Sequence, residues 1–131
     1  MRAVGTNVLS RALVRDDAAQ AARAEAVIGG QAIYIPVTVM LELEWMLRSR
    51  YAFPPKKVAQ ALEMIASFAN ATVGDRQAVL AATARVAQIW DFADALHHAL
   101  SEGCDDFLTL DATLARRALR GPKVSPTVVK L

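Results

Sequence analysis

Short runs of β-forming residues alternate with longer helical patterns along this chain, and that alternation is the feature that most limits its fold. The runs expected to form strands are 2–4, 32–35, 71–73, 107–110 and, with a weaker signal, 127–129. Strands that alternate with helices usually pair in parallel, because each helix carries the chain back across the sheet. The sequence therefore predicts an α/β fold with a central, mainly parallel sheet.

Turn and capping residues mark the predicted helices between these strands. Asp17 is a predicted N-cap, the pair Gly29-Gly30 is a predicted helix stop, and Gly103 is another. The glycine pair lacks the spacing of a dinucleotide- or phosphate-binding loop, which argues against a nucleotide cofactor. The predicted helices span 8–14, 18–28, 37–50, 56–68, 75–89, 91–102 and 112–119.

Length and composition indicate one domain over residues 1–131. With 54% hydrophobic residues the chain has ample material for a single core. Its one cysteine, Cys104, cannot form an internal disulfide, which fits a reducing cytoplasm. We find neither a signal peptide nor an apolar run that would cross a membrane, so a cytoplasmic protein without membrane attachment is expected. A net charge of +2 does not identify a partner.

Three acidic residues are candidates for a common site. Asp111 directly follows the predicted strand 107–110, and Asp94 falls in the first turn of a predicted helix. Ligands of open parallel sheets bind beyond the carboxyl ends of the strands. Each aspartate also has a structural explanation, Asp111 as an N-cap and Asp94 as a first-turn acid behind a capping Asp91. His98, one turn beyond Asp94, is a candidate to orient it, but the adjacent His97 and His98 face different directions on a helix, so we expect satisfied or solvent-facing histidines.

Glu42 is the third candidate, in the segment VTVMLELEWML. Its helical neighbours at positions 38, 39, 45 and 46 are mostly apolar and include no basic residue, so a buried carboxylate there would need a cation or a hydrogen-bond donor. Glu44 is expected to face solvent instead, because Arg48 stands four residues on in the favourable orientation for a surface ion pair.

Two groups of basic residues are available for phosphate contacts. One contains Arg48, Arg50, Lys56 and Lys57, and the other contains Arg116, Arg117, Arg120 and Lys123. Either group is explained as an ordinary solvated surface. If the chain acts on RNA, Arg48, Arg50, Arg116 and Arg117 are the expected contacts, and they would position the phosphates without reading sequence.

Four segments together resemble the motifs of PIN-domain toxins of the VapC family. They are 1–9 (MRAVGTNVL), 37–43 (VTVMLEL), 91–97 (DFADALH) and 107–111 (FLTLD), and they occur in the family's order over nearly the whole chain. The resemblance carries Glu42, Asp94 and Asp111 over as metal-binding catalytic acids. Thr6, Asn7 and Thr109 carry over as supporting residues. The family has an aspartate where this chain has Gly5.

The resemblance implies a three-layer α/β/α sandwich, a homodimer and an Mg²⁺- or Mn²⁺-dependent endoribonuclease that acts on tRNA or other structured RNA. It also implies a VapB-like antitoxin, through which the protein would reach operator DNA. The chemistry agrees, since carboxylate oxygens suit these cations. The ion would activate water and offset the phosphodiester charge.

The glycine at position 5 determines which functions are possible for this chain. A missing ligand carboxylate predicts a rate loss on the order of a hundredfold, equivalent to about 2.7 kcal/mol. It also predicts a more stable metal-free fold, since three crowded carboxylates repel one another less than four. The chain is therefore expected to be an impaired ribonuclease or, as the alternative, a non-catalytic module that binds an antitoxin and acts in operator regulation. A phosphoacceptor receiver domain has less support, because the third strand ends at Val73-Gly74 without an aspartate.

Overall fold

The computed structural model describes residues 1 to 131, in which strands and helices alternate. The strands are β1 (Arg2–Ala3), β2 (Ile33–Ile35), β3 (Ala71–Val73), β4 (Asp106–Thr109) and β5 (Thr127–Lys130). The helices are α1 (Thr6–Val14), α2 (Ala18–Gly30), α3 (Val37–Ser49), α4 (Pro55–Ala66), α5 (Arg76–Val86), α6 (Phe92–Ala99) and α7 (Ala112–Arg120). The predicted α/β class and the five predicted strands are confirmed.

All strand pairs are parallel. β2 pairs with β1 on one side and with β3 on the other, with Ile33 opposite Ala71. β4 pairs with β5, with Phe107 opposite Val128. The parallel direction follows from the connections, since α1 and α2 lie between β1 and β2, α3 and α4 between β2 and β3, and α7 between β4 and β5.

The strands form two hydrogen-bonded sheets, of three and two strands, where the sequence predicted one central sheet. β1 is only two residues long. The backbone N–H groups of Arg2 and Val4 already donate to the carbonyl oxygens of Ala32 and Tyr34 in and beside β2. Backbone groups alternate between the two edges of a strand, so within β1 only Ala3 is left to face the opposite edge. The free edge of β1 therefore offers a single residue for further pairing.

Side-chain N-caps begin three of the seven helices, α2, α6 and α7. The carboxylate of Asp17 accepts a hydrogen bond from a first-turn N–H of α2, which confirms the predicted N-cap. The predicted stop at Gly29–Gly30 is wrong, because α2 includes both glycines and ends before the extended Gln31. Glycine disfavours a helix by only about 1 kcal/mol. The side-chain amide of Asn70 holds this end by donating to the carbonyl oxygens of Ile28 and Gln31.

A single cluster of 20 buried residues forms the core and extends from Val4 to Leu114. The central helix α3 contributes Met40, Leu43 and Leu47, all with no exposed surface. The helices α5 and α6 pack closely against each other and end three residues before their predicted ends, at Val86 and Ala99. No helix combines the length and the apolar character that a membrane span requires.

Candidate functional site

Asp94 lies in the first turn of α6, behind a capped helix start. Asp91 is the N-cap, and its Oδ1 accepts a hydrogen bond from the backbone N–H of Asp94 at 3.1 Å. This predicted cap is confirmed, and it fixes the backbone from which the Asp94 side chain projects. The Asp94 side chain is half-buried and accepts no hydrogen bond from another group of the chain, so its carboxylate oxygens remain available to a ligand.

Asp111 begins α7, where its carboxylate is held on one side only. Its Oδ1 accepts hydrogen bonds from the backbone N–H groups of Thr113 at 2.8 Å and Leu114 at 3.2 Å, as the predicted N-cap requires. The hydroxyl of Thr109 accepts the N–H of Asp111 at 3.0 Å, so the predicted supporting residue fixes this turn. The Oδ2 atom of Asp111 has no such partner and is free to bind a cation.

The electrostatics of Asp94 connect it to Asp111. Burial raises the pKa of the Asp94 carboxyl, and the negative charges of Asp91 and Asp111 raise it further, while His97 and Arg117 act in the opposite direction. Charges on partly exposed groups affect one another only at short range. The third predicted motif and the helix that follows the fourth also meet in space, since Asp91 and Arg117 line one cavity. Like charges crowded as they are around Asp94 are the condition that a bound cation relieves.

Glu42 was predicted to be buried and Glu44 to face solvent, and both predictions are wrong. Glu42 is exposed, whereas the Glu44 side chain is only 9% exposed and accepts a hydrogen bond from Arg48 Nε at 2.9 Å. The predicted ion pair is confirmed, but its acid faces the interior. The core face of α3 follows the line Met40, Leu43, Glu44 and Leu47, and the predicted apolar neighbour Trp45 is 55% exposed on the other side.

The three predicted acids do not form one preassembled cage. No three carboxylate, imidazole or thiol side chains lie close enough together to hold a metal ion in this arrangement. The charge of Asp111 acts on the Asp94 carboxyl, and Glu42 is not joined to them. The donor chemistry nevertheless fits Mg²⁺ or Mn²⁺, because the two aspartates offer unengaged carboxylate oxygens. The role of Glu42 as a third ligand stays a prediction.

Gly5 is the N-cap of α1 and leaves that helix without a side-chain cap. Its backbone, with φ −88° and ψ 171°, is extended and open to any residue. A Cβ at this position would meet nothing within 4 Å, so a side chain can start here without displacing a neighbour. Thr6 is buried next to it, while Asn7 is exposed and its carbonyl accepts the hydroxyl of Ser10 at 3.2 Å.

His98 does not orient Asp94, contrary to the prediction. The ring is fully buried, and its Nε2 contacts the carbonyl oxygen of Pro126 at 2.7 Å. Its Nδ1 faces the Arg85 guanidinium, which also lies over the Trp90 ring. The two ring nitrogens are therefore occupied by partners on other elements. The expectation that the two histidines are satisfied or solvent-facing is confirmed, since His97 is exposed.

A cavity of about 280 Å³ adjoins the acidic residues. Its polar rim contains Asp91, Arg117 and the Glu44–Arg48 pair, and its floor is largely apolar, with Val58, Leu62, Trp90 and Phe92. Arg50 and Arg116 are exposed and lie outside this lining. Sequence reasoning treated Asp91 only as a cap and missed its charge beside Asp94. The three-residue spacing of the two aspartates was the available signal, because such residues share a helix face.

Comparison with models of known protein families and with curated proteins found no match to the chain. The resemblance to VapC toxins therefore depends on the four short segments and on where the fold puts them.

Proposed function

We propose that this chain is a PIN-type, metal-dependent endoribonuclease of a toxin–antitoxin pair, impaired by Gly5. Two observations carry the proposal: Asp91 at the start of α6 and Arg117 of α7 line one cavity, and the charge of Asp111 raises the pKa of the half-buried Asp94 carboxyl. Asp94 and Asp111 have free carboxylate oxygens, and both fall in the motifs that resemble the family. A PIN-like three-layer sandwich is part of the proposal and is supported by the parallel direction of all strand pairs.

In this proposal the residues of the chain bind the ion and position the RNA. A bound Mg²⁺ or Mn²⁺ supplies activation of water and neutralisation of phosphate charge. Asp111 presents its free Oδ2 while the α7 N-terminus and Thr109 hold its other oxygen and its backbone. Asp94 presents a half-buried carboxylate. Burial and the neighbouring negative charges disfavour its ionised form, and a bound cation would stabilise that form. Glu42 completes the set if its exposed side chain turns toward them.

Gly5 accounts for the proposed impairment. The position lies at the carboxyl end of β1, next to the start of α1, and a side chain can start there without displacing a neighbour. Restoring that carboxylate adds a ligand without rebuilding the fold. Cleavage of a tRNA pool by the Gly5→Asp variant, in the presence of Mg²⁺ or Mn²⁺, is therefore the direct test of the proposed activity.

The proposed partners are a VapB-like antitoxin and a second copy of the chain. The cavity beside Asp91 and Arg117 supports the first, because its apolar floor and mixed-charge rim suit a peptide segment. Contact with operator DNA would occur only through the antitoxin.

One face of the β4–β5 sheet supports the homodimer: it carries four exposed apolar residues, Leu108, Leu110, Val129 and Leu131, although parallel sheets are normally covered on both faces. Sedimentation velocity decides between monomer and dimer.

Gly5 specifically favours a second candidate function. A PIN-fold module without catalysis would still bind an antitoxin and take part in operator regulation, and it would have no need of a fourth carboxylate. The two candidates separate in the Gly5→Asp variant. An impaired ribonuclease regains activity with that substitution, whereas a binding module stays inactive and keeps its affinity for the antitoxin.

A further inference from the structure

A second concave region lies beside the acidic site and is dominated by arginine. This region, which we call the arginine cleft, has a volume of about 440 Å³. It lies between α7 and the segment that follows α5. The residues that define it are Gln88, Ile89, Thr113, Arg116, Arg117 and Arg120.

The positive charge of the arginine cleft is not compensated within the chain. Its lining contains no acidic residue, and none of its three arginines forms an ion pair. Arg116 and Arg120 stand four residues apart on α7, and like charges at that spacing repel each other. A bound anion would offset this repulsion. Guanidinium groups, Thr113 and Gln88 together supply the donors that phosphate oxygens accept.

Ile89 has an unusual conformation at the edge of the cleft. Its φ is +67° and its side chain is 72% exposed. A left-handed backbone is an outlier for a β-branched residue, and such outliers concentrate at functional sites. Ile89 also lines the cavity beside Asp91, so it stands between the two concavities. There it offers an apolar surface to the base or ribose of an unpaired nucleotide.

Arg117 connects the arginine cleft to the acidic site. It lines the cleft, and its charge also reaches the Asp94 carboxyl. Asp111 caps the same helix, so the cleft arginines begin little more than one helical turn beyond Asp111, and Arg117 also lines the cavity beside Asp91. A strand with one phosphate at the aspartates would therefore meet the cleft with the next.

We propose that the arginine cleft binds the backbone phosphates of an unpaired RNA strand next to the phosphate that is cut, with Ile89 against a neighbouring base. This inference rests on the proposed ribonuclease function and assigns the direction in which its substrate leaves the acidic site. Arg116 and Arg120 bind phosphate, and Arg117 spans both regions.

The test measures RNA binding and not cleavage. Fluorescence anisotropy of a labelled 12-nucleotide unstructured RNA is recorded with the whole chain in chelator, at several KCl concentrations. Arg116→Ala/Arg120→Ala is compared with Arg23→Ala/Arg76→Ala, which removes the same charge from exposed, unpaired arginines on α2 and at the start of α5. Ile89→Gly, which relieves the positive φ and removes the side chain, is the third variant.

We expect the α7 double variant to bind at least about tenfold more weakly, with a salt slope shallower by about 1.4, since each phosphate contact on a single strand contributes about 0.7. The control keeps its affinity within about twofold and its slope. Ile89→Gly weakens binding and leaves the slope unchanged, because the slope counts phosphate contacts only. Melting temperatures show that each variant remains folded.

Three results would overturn the assignment: no RNA binding by the wild-type chain, equal losses in the two double variants, or displacement of the RNA by polyglutamate as efficiently as by unlabelled RNA. The last would assign the cleft to an acidic protein segment. Failure of the proposed ribonuclease function is a separate result. It would appear only as absence of cleavage by Gly5→Asp, and it would leave the RNA binding measured in chelator unchanged.

Discussion

Asp94 lies in the first turn of α6 and Asp111 caps α7, yet burial and the charges of Asp91 and Asp111 together raise the pKa of the Asp94 carboxyl. Neither helix start requires the Asp94 carboxylate, although that group is repelled by the other two. α6 has its cap in Asp91, and α7 has its cap in Asp111. A third, half-buried carboxylate beside them disfavours the metal-free protein, and the proposed cation would offset that repulsion.

Asp94→Asn is expected to stabilise the metal-free protein near pH 7. Because the folded pKa of Asp94 is raised, this group contributes stability at low pH that is lost as the pH rises through the folded value. Asparagine removes that loss. After allowance for solvent screening, a gain of about 0.5 kcal/mol corresponds to about 2 °C in Tm. Thermal melts at pH 7 and pH 3 test this; a lower Tm for the variant at pH 7, or a gain that persists at pH 3, is incompatible with it.

His98 is expected to make the protein acid-sensitive. Burial lowers its pKa below the ordinary 6.5, with the Arg85 charge acting in the same direction and the Pro126 hydrogen bond against it. The unfolded chain therefore binds the proton first, so stability present above pH 6.5 is lost as the pH falls toward the folded value, by at most about 1.4 kcal/mol per pH unit.

The check is a comparison of melts for wild type and His98→Gln at pH 7.5, 6.5 and 5.5. The variant loses a buried contact and is less stable at pH 7.5, but its Tm falls less between pH 7.5 and 5.5. Parallel pH profiles for the two proteins would show that His98 is not the group responsible.

Glu42→Ala and Glu44→Ala form a matched pair that separates site from structure. Glu44 is buried against Arg48, so its truncation is expected to cost about 1 kcal/mol in unfolding free energy. Glu42 is exposed, and its truncation should change stability by less than about 0.5 kcal/mol. The effects on RNA cleavage, measured in the Gly5→Asp background, are expected in the opposite order: Glu42→Ala lowers the cleavage rate, and Glu44→Ala leaves it unchanged. Urea unfolding and cleavage rates measure the two effects, and loss of cleavage only with Glu44→Ala would move the third ligand to that residue.

Gly5→Asp is expected to make stability depend more strongly on metal. Without metal, the added carboxylate increases repulsion, while an aspartate at this N-cap gains a few tenths of a kcal/mol from capping. The net metal-free change is expected to be a slightly lower Tm. With Mg²⁺ at 100 times its Kd, binding to the folded state adds about 2.7 kcal/mol. Melts across a Mg²⁺ titration should show a larger rise for Gly5→Asp than for wild type, and equal rises would remove Gly5 from the site.

Local chemistry made much of the fold predictable from sequence. The alternation of strands and helices, the N-caps at Asp17, Asp91 and Asp111, and the Glu44–Arg48 pair all depend on residues close together in the chain. Such features follow from hydrogen-bond geometry within one or two turns.

The features that failed depend on contacts between distant segments. Apolar residues occur on several faces of α3, so the periodicity of the sequence alone did not distinguish the face of Glu42 from the face of Glu44. The four-residue spacing of Asp94 and His98 predicted a contact, but the carbonyl oxygen of Pro126, 28 residues after His98, takes the ring nitrogen instead. The division into two sheets depends on which strands pair across the chain, and no composition rule predicted it.

The most direct test compares wild type with Gly5→Asp for cleavage of a tRNA pool, both proteins freed of any antitoxin, with Mg²⁺ or Mn²⁺ and with chelator. Gly5→Asp/Asp94→Asn is the matched control. We expect Gly5→Asp to cut on the order of a hundredfold faster than wild type, as about 2.7 kcal/mol of restored stabilisation requires, and both the chelator and the Asp94→Asn substitution to stop it. Absence of metal-dependent cleavage by Gly5→Asp, with tight antitoxin binding by both proteins, would contradict the ribonuclease function and favour the binding module.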